Sequence, residues 1–233
     1  MQHFILPHPL EADKVRIFDR NTLQQMTKVL RFRKGDKCVL MDGNGTKAEA
    51  TVEELHSKVA VLHVQNRSVS PAPARKLRLY CAISKKPATF EFILQKATEL
   101  RATDLIPLIT ERCQVKFLKK QERLLAIVKE ATEQCENPFL PEMHEAMELD
   151  ALLENLPSGK LLAGDPRTFD DQLKNIKLDA TEDINLIIGP EGGLTKEELE
   201  AIQKAGGTLF QLGESVLRME TAALASLAVI QYA

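Results

Sequence analysis

The residues best suited to chemistry in this 233-residue sequence lie in two glycine-containing stretches near its carboxyl end. In the first, the apolar run Ile184 to Ile188 leads into Gly189-Pro190-Glu191-Gly192-Gly193, a loop almost without side chains. Its glycines allow close approach and Pro190 stiffens the turn, so backbone amides can meet a flat ligand directly. The chemistry on offer is small-molecule binding. The spacing fits neither GxxxxGKS/T nor GxGxxG, so neither a nucleoside triphosphate nor the usual dinucleotide mode is expected. A tight turn from strand to helix would use the same glycines, and the rest of the chain has to decide. In the second stretch, Leu212-Gly213 opens a turn that leads through Val216 and Leu217 to a permanent cation, Arg218. A helix start rich in small residues, Glu220 to Ala225, follows.

A third candidate lies far upstream. Lys28 to Lys37 carries five basic residues and one acid in ten positions, including Arg31, Arg33 and Lys34, with Phe32 among them. Such a cluster can neutralise phosphates, and Phe32 can stack on a base; the plainer reading is a solvated face with Phe32 in the core. The charge is split: residues 1–70 carry 11 Lys and Arg against 8 Asp and Glu, net +3, and residues 71–233 carry 20 against 25, net −5. Two domains with different partners are expected, the first tolerant of a polyanion. Four cysteines, Cys38, Cys81, Cys113 and Cys135, form no CxxC pair and no His accompanies them, so neither a zinc site nor a disulfide framework is expected and a reducing cytosol fits. Met1 to Leu10 has no basic region leading into an apolar one, and no segment reaches the roughly 18 apolar residues of a membrane span. A cytoplasmic protein without membrane contact is the expectation.

These residues need elements to position them. Residues 1–70 read as β-rich, with short runs at Val15 to Ile17, Lys37 to Met41, Glu49 to Val52 and Val59 to Val64, and a hairpin turn at Asp42-Gly43-Asn44-Gly45. Asn21 is placed to cap one helix bearing Leu23, Met26, Val29 and Leu30 on its inner face. A small barrel with one helix results. Ser68 to Ala74, with two prolines among small residues, reads as the linker between domains 1–70 and 71–233. Beyond it strands and helices alternate. Strands are expected at Leu77 to Ile83, Asp104 to Ile109, Lys160 to Gly164, Ile184 to Ile188 and Thr208 to Leu212. Helices are expected at Thr89 to Leu100, Lys119 to Cys135, Lys196 to Ala205 and Glu220 to Tyr232, the third started by a capping box of Thr195 and Glu198. This is an α/β pattern, a mostly parallel sheet covered on both faces, whose ligands sit beyond the strands' carboxyl ends. Three such ends run into glycine: Ala163-Gly164, Gly189 to Gly193, and Leu212-Gly213.

In this order and company, Ile188 to Gly193 and Leu212-Gly213 to Ala222 closely resemble the SPOUT methyltransferases, and specifically the RsmE family that methylates a uridine of 16S ribosomal RNA at ring nitrogen 3. The resemblance extends through Val29-Leu30-Arg31, Gly35-Asp36, Gln95 to Leu100, Thr110-Glu111-Arg112 and Glu133-Gln134-Cys135. It implies a PUA-like RNA-binding β-barrel followed by a SPOUT-type domain whose carboxyl-terminal segment is threaded as a trefoil knot. It also implies S-adenosyl-L-methionine as cofactor, a homodimer with active sites at the interface, 16S rRNA in the small ribosomal subunit as partner, and no metal. Carried over by position, Leu162, Ala163 and Gly164, then Ile188, Gly189, Pro190, Glu191, Gly192 and Gly193, then Leu212, Gly213, Val216, Leu217 and Arg218 surround the cofactor. The sequence departs from the family at Asn137, where an Arg is usual, at Gln24-Gln25, where two His are common, and at Arg101, where a Gly is expected.

Uridine nitrogen 3 is protonated in the neutral base and attacks a methyl group poorly until that proton leaves. Arg218 can stabilise negative charge developing on the uracil oxygens, or clamp the cofactor carboxylate or an RNA phosphate instead. Glu191 and Glu220 are candidate general bases, and each equally suits a helix start. The base must be unpaired or turned outward, which RNA contacts have to offset. Arg31, Arg33 and Lys34 are the first candidates for those contacts, with Lys85, Lys86 and Arg112 second. The rival readings are 2′-hydroxyl methylation by another SPOUT enzyme and a ribosome-assembly factor that binds RNA without catalysis.

Overall fold

The computed structural model describes residues 1–233 except 7, 119, 168–171 and 233. The chain forms two compact units: Met1–Ala72 with Thr132–Leu140, and Pro73–Ala131 with Pro141–Ala233.

In the first unit, strands β1 (His3–Ile5), β2 (Lys14–Ile17), β3 (Lys37–Met41), β4 (Thr46–Leu55) and β5 (Ala60–Val69) form one curled sheet in the order β1-β3-β4-β5-β2. β1 pairs parallel to β3 and the other neighbours are antiparallel. Two register shifts between β4 and β5, at Ala48/Glu49 and Val52/Glu54, bend the ribbon over a core of Phe4, Leu40, Val52, Leu62 and Met26. Asp42 Oδ1 accepts hydrogen bonds from Asn44 N and Thr46 N, closing the turn the sequence marked. Residues 132–140 belong to this unit although they are remote in sequence: Glu133 accepts from Ile5 N at 2.8 Å, and Leu140 N donates to Gly43 O at 2.9 Å.

The helix differs from expectation. α1 (Arg20–Gln24) is capped by Asp19, whose Oδ2 accepts from Thr22 N, and not by Asn21. It continues as a π-helical turn, Gln25–Val29. The wider turn breaks the α-helical spacing, so Leu23 and Met26 stay buried while Val29 is 73% exposed. Phe32, half-buried, packs edge-on against Phe4, ring centroids 6.0 Å apart, which is the plainer of the two readings of that residue.

The second unit is an α/β layer. β6 (Leu77–Ala82), β7 (Asp104–Ile109), β8 (Glu142–Met143), β10 (Lys160–Gly164), β11 (Ile184–Ile188) and β12 (Thr208–Phe210) lie in the order β12-β10-β11-β6-β7-β8, with β9 (Met147–Glu148) also on β7 and every pairing parallel. Successive side chains go to opposite cores. Leu162, Leu186 and Ile188 pack with helices α2 (Pro87–Glu99) and α6 (Met219–Tyr232); Leu161, Ala163 and Ile187 pack with α4 (Leu149–Glu154) and α5 (Lys196–Lys204). Burial on both faces is why these strands read as continuous apolar runs. α3 (Gln121–Gln134) begins two residues after the expected start, Lys119, which lies outside the described residues. β12 stops at Phe210, freeing Leu212 for the loop beyond.

Candidate functional site

Because the strands run parallel, their carboxyl ends share one edge. The segments that follow β6, β7, β10, β11 and β12 enclose a cavity of ≈ 730 Å³ there with the start of α6. That volume suits a small organic ligand.

The glycine loop is built by its own packing. A Cβ at Gly189 would lie 3.1 Å from Leu194 Cγ and 3.2 Å from Leu194 N, so a side chain there would have to push Leu194 back by a few tenths of an ångström. Gly193 adopts φ +70°, a left-handed conformation that glycine accepts readily, and its N–H donates to Pro190 O at 2.8 Å. Two arginines fix the far side. Arg112 Nη1 donates to Gly192 O at 2.9 Å and Leu194 O at 3.1 Å, and Arg167 Nη2 to Leu194 O at 3.2 Å. Thr195 and Glu198 then close the capping box that starts α5. Arg112, a second-rank candidate for RNA, thus also holds the loop, through Nη1 to two carbonyls, while the residue itself stays exposed.

The loop after β12 is different in kind. Val216 is 78% exposed and Leu217 36% exposed, although both are apolar and line the cavity. Among the described residues, no backbone hydrogen bond engages the amides of Gly213 to Leu217. Free amides beside apolar side chains can meet both the edge and the faces of a planar ligand. Arg218 lines the same cavity, exposed, with no side-chain hydrogen bond or ion pair among the described residues. Glu220, half-buried, lines it as well. Glu191 is anchored: the hydroxyl of buried Ser84 donates to its Oε1 at 2.7 Å.

The structure therefore gathers Gly164, Ile188, Gly189, Pro190, Glu191, Gly192, Gly193, Leu212, Gly213, Val216, Leu217, Arg218 and Glu220 around one cavity, with Lys85 and Lys86 exposed in its lining. Leu162 and Ala163 do not line it. They sit one and two positions back inside β10, where their side chains fill the cores on opposite faces of the sheet, so of that trio Gly164 alone reaches the cavity. Arg31, Arg33 and Lys34 belong to the first unit, exposed in the turn before β3, where Asp36 Oδ2 accepts from Arg33 N.

Sequence reasoning missed other lining residues. Asp165, 6% exposed, pairs with Arg167 Nε at 3.2 Å; its signal was an acid directly after the glycine of a strand end. Ser226, fully buried, lines the cavity from α6 and is the only polar residue between Ala222 and Ile230. Cys81 ends just below the site, but burial, with smaller contributions from Cys113 and Glu191, pushes its thiol far above the ordinary value and keeps it protonated. A nucleophilic thiolate is not part of this centre. Asp104, Glu142 and His144 bring three possible ligand atoms within 4.8 Å of one another at the start of β7. They form a hydrogen-bonded cluster in which Asp104 accepts from Thr103 Oγ1 and lies 3.0 Å from His144 Nε2.

Comparison with known proteins bears on what such a cavity binds. A family model described as an RNA methyltransferase domain matches residues 70–231, and an RNA methyltransferase PUA domain matches residues 26–63. Ribosomal RNA small subunit methyltransferase E of Rickettsia conorii is 29% identical, over 95% of this chain and 91% of its own. The Synechocystis protein of that name is 34% identical, over 89% of this chain and 70% of its own. The crystal structure of a ribosomal RNA small subunit methyltransferase E from Neisseria gonorrhoeae, bound to S-adenosyl methionine, matches with a TM-score of 0.89 at 29% identity, over 99% of this chain and 97% of that one.

Proposed function

The chain belongs to the RsmE family of RNA methyltransferases, with a methyltransferase domain and a PUA domain, and from that premise we propose that it methylates nitrogen 3 of a uridine in 16S rRNA. It is an rRNA methyltransferase that uses S-adenosyl-L-methionine. The observation that carries the reading is the cavity at the carboxyl edge of the sheet, where the Gly189 to Gly193 loop, the exposed apolar pair Val216 and Leu217, and exposed Arg218 meet. The residues fit this cofactor: free amides suit a heterocycle's polar edge, and the exposed cations Lys85 and Lys86 suit a carboxylate. When bound, S-adenosyl-L-methionine supplies a methyl group activated by its sulfonium.

The chain's own residues have to favour the uracil anion. Arg218 is proposed to stabilise negative charge on the uracil oxygens as the proton on nitrogen 3 leaves. Glu220 is the proposed proton acceptor, because the Glu191 carboxylate is already engaged by the Ser84 hydroxyl. Arg31, Arg33 and Lys34 are proposed to hold RNA phosphates through the PUA-like unit of residues 1–70. The segment that includes β11, β12 and α6 is proposed to be threaded as a trefoil knot. A homodimer is proposed as the working form, supported by exposed Phe92, Phe117, Leu125 and Tyr232 in the second unit; a monomer mass at micromolar concentration by sedimentation equilibrium rejects it.

The test of function supplies the purified protein with S-adenosyl-L-methionine labelled in the methyl group and with small ribosomal subunits. Label recovered in a nucleoside that co-migrates with 3-methyluridine is the expected outcome. Label on a ribose 2′-hydroxyl replaces the nitrogen assignment with the 2′-hydroxyl reading. Saturable RNA binding without transfer, in protein that also fails to bind the donor by calorimetry, replaces it with a non-catalytic assembly factor.

A further inference from the structure

Ser226 stands in the second turn of α6 with its side chain fully buried, yet its Oγ has no hydrogen-bond partner among the described residues. Helical hydroxyls usually avoid that state by bonding the carbonyl four residues back. Elsewhere in this chain they do: Thr98 Oγ1 donates to Leu94 O at 2.8 Å, and Thr27 Oγ1 to Leu23 O at 2.6 Å. Ser226 does not. Its helical neighbours Ala222, Ala223 and Leu227 offer no polar side chain, and Ser226 itself lines the cavity. A buried hydroxyl without a partner, on a residue that lines a ligand cavity, marks where a ligand can bring one.

We propose that Ser226 recognises the purine base of the methyl donor, its hydroxyl hydrogen-bonding the base's polar edge. The inference rests on the reading of the cavity as a methyl-donor site. The distribution of polarity along the lining selects the base over the amino-acid end. Lys85 and Lys86 are exposed, and a carboxylate is best held beside them. Where Ser226 lies the lining is apolar or neutral, with buried Phe210 and Ile188, and Asp165 is already paired with Arg167. Placing a free charge beside Phe210 and Ile188 is unfavourable, whereas a flat heterocycle with a neutral hydrogen-bonding edge fits. A hydroxyl also adapts, donating to a ring nitrogen or accepting from an exocyclic amine by rotating its proton.

The test compares the parent with Ser226→Ala by calorimetry, using S-adenosylhomocysteine and S-ribosylhomocysteine, which keeps the sugar and amino acid but lacks the base. The Kd for S-adenosylhomocysteine is expected to rise about 3- to 10-fold in the variant, the net worth of one neutral hydrogen bond. The Kd for S-ribosylhomocysteine is expected to be the same for both proteins. The ligand-free thermal midpoint of the variant is expected to equal or exceed the parent's, because the hydroxyl removed had no partner. Unchanged affinity for S-adenosylhomocysteine overturns the proposal, as does an equal loss for both ligands. A ligand-free midpoint several degrees lower overturns it too, by showing that the hydroxyl has an internal partner. Failure of the parent to bind S-adenosylhomocysteine overturns the methyl-donor reading itself.

Discussion

Arg218 tests whether the cavity is organised for catalysis or only for binding. An electrostatic stabiliser acts on charge that develops in the transition state, so removing it lowers the rate more than it lowers affinity for the ground-state cofactor. For Arg218→Ala the single-turnover rate of methyl transfer is expected to fall on the order of 100-fold while the Kd for S-adenosyl-L-methionine changes less than about 5-fold. Matching losses in rate and affinity make Arg218 a clamp for the cofactor. Residues of this kind were legible in the sequence because a permanent charge after a glycine turn stands out against Val216, Leu217 and Ala222. Ser226 and Asp165 were not, since one hydroxyl in an alanine-rich helix and one acid after a strand acquire meaning only when burial is known. Arg112 is read in part for a related reason: its charge suggests phosphate, and only geometry shows its Nη1 also donating to Gly192 O and Leu194 O.

At the scale of elements, the departure at Arg101 now has a physical account. Arg101 sits at φ +63° immediately past the end of α2, its N–H donates to Thr98 O, and Ala102 N donates to Ala97 O. This pair of bonds is a Schellman cap, whose left-handed position glycine fills without strain. Arg101→Gly is therefore expected to stabilise the protein by roughly 0.5–1 kcal/mol, after allowing for the greater freedom of glycine in the unfolded chain. The thermal midpoint is then expected to rise by about 1–4 °C, and a fall means that contacts of the arginine side chain outweigh the strain. Asp183 illustrates a cross-strand tie. Its carboxylate accepts from Lys76 N at 2.8 Å and Arg78 Nη2 at 2.9 Å, its backbone oxygen accepts from Lys160 N at 2.8 Å, and so it joins the starts of β6, β10 and β11. The hydrogen bond from Lys76 N, and then Arg78, lower its pKa, which gives a sign to the pH dependence. The stability it contributes is full above the unfolded value of about 4 and is lost as pH falls through the lower folded value. Asp183→Asn is expected to be less stable at pH 7 yet to lose less stability in denaturant titrations below about pH 4; parallel pH profiles count against the tie. Strands such as Lys160–Gly164 and Ile184–Ile188 were readable to the residue because burial on both faces leaves them uniformly apolar. The π-helical turn, β1 and the two-residue strands β8 and β9 were not, because three residues or fewer, or one inserted residue, leave no period to detect.

At the scale of the whole molecule, alternating strands and helices announced a parallel sheet, but not the order β12-β10-β11-β6-β7-β8, since no local pattern says which strands become neighbours. Nor did they announce that residues 132–140 join the first unit, because Ile5 and Glu133 are 128 residues apart and nothing near either signals the other. What composition did carry is the charge split, net +3 in residues 1–70 and net −5 beyond, which is the ground for proposing that residues 1–70 meet the polyanion. Arg31, Arg33 and Lys34 project from a turn of that unit, and each phosphate neutralised there releases counterions, so affinity for RNA must fall with salt in proportion to the contacts made. Arg31→Ala with Arg33→Ala is expected to weaken binding of small-subunit RNA at low salt and to reduce the slope of log K against log salt by about 1–2. Affinity for S-adenosyl-L-methionine should not change, because every residue lining the cavity belongs to the second unit. Arg31 lies at φ +54°, a conformation alanine tolerates no better, so the double variant's thermal midpoint has to be compared with the parent's before binding is read. A folded variant whose salt slope matches the parent's removes this cluster from the RNA contacts and leaves the second candidates, Lys85, Lys86 and Arg112, to hold the substrate.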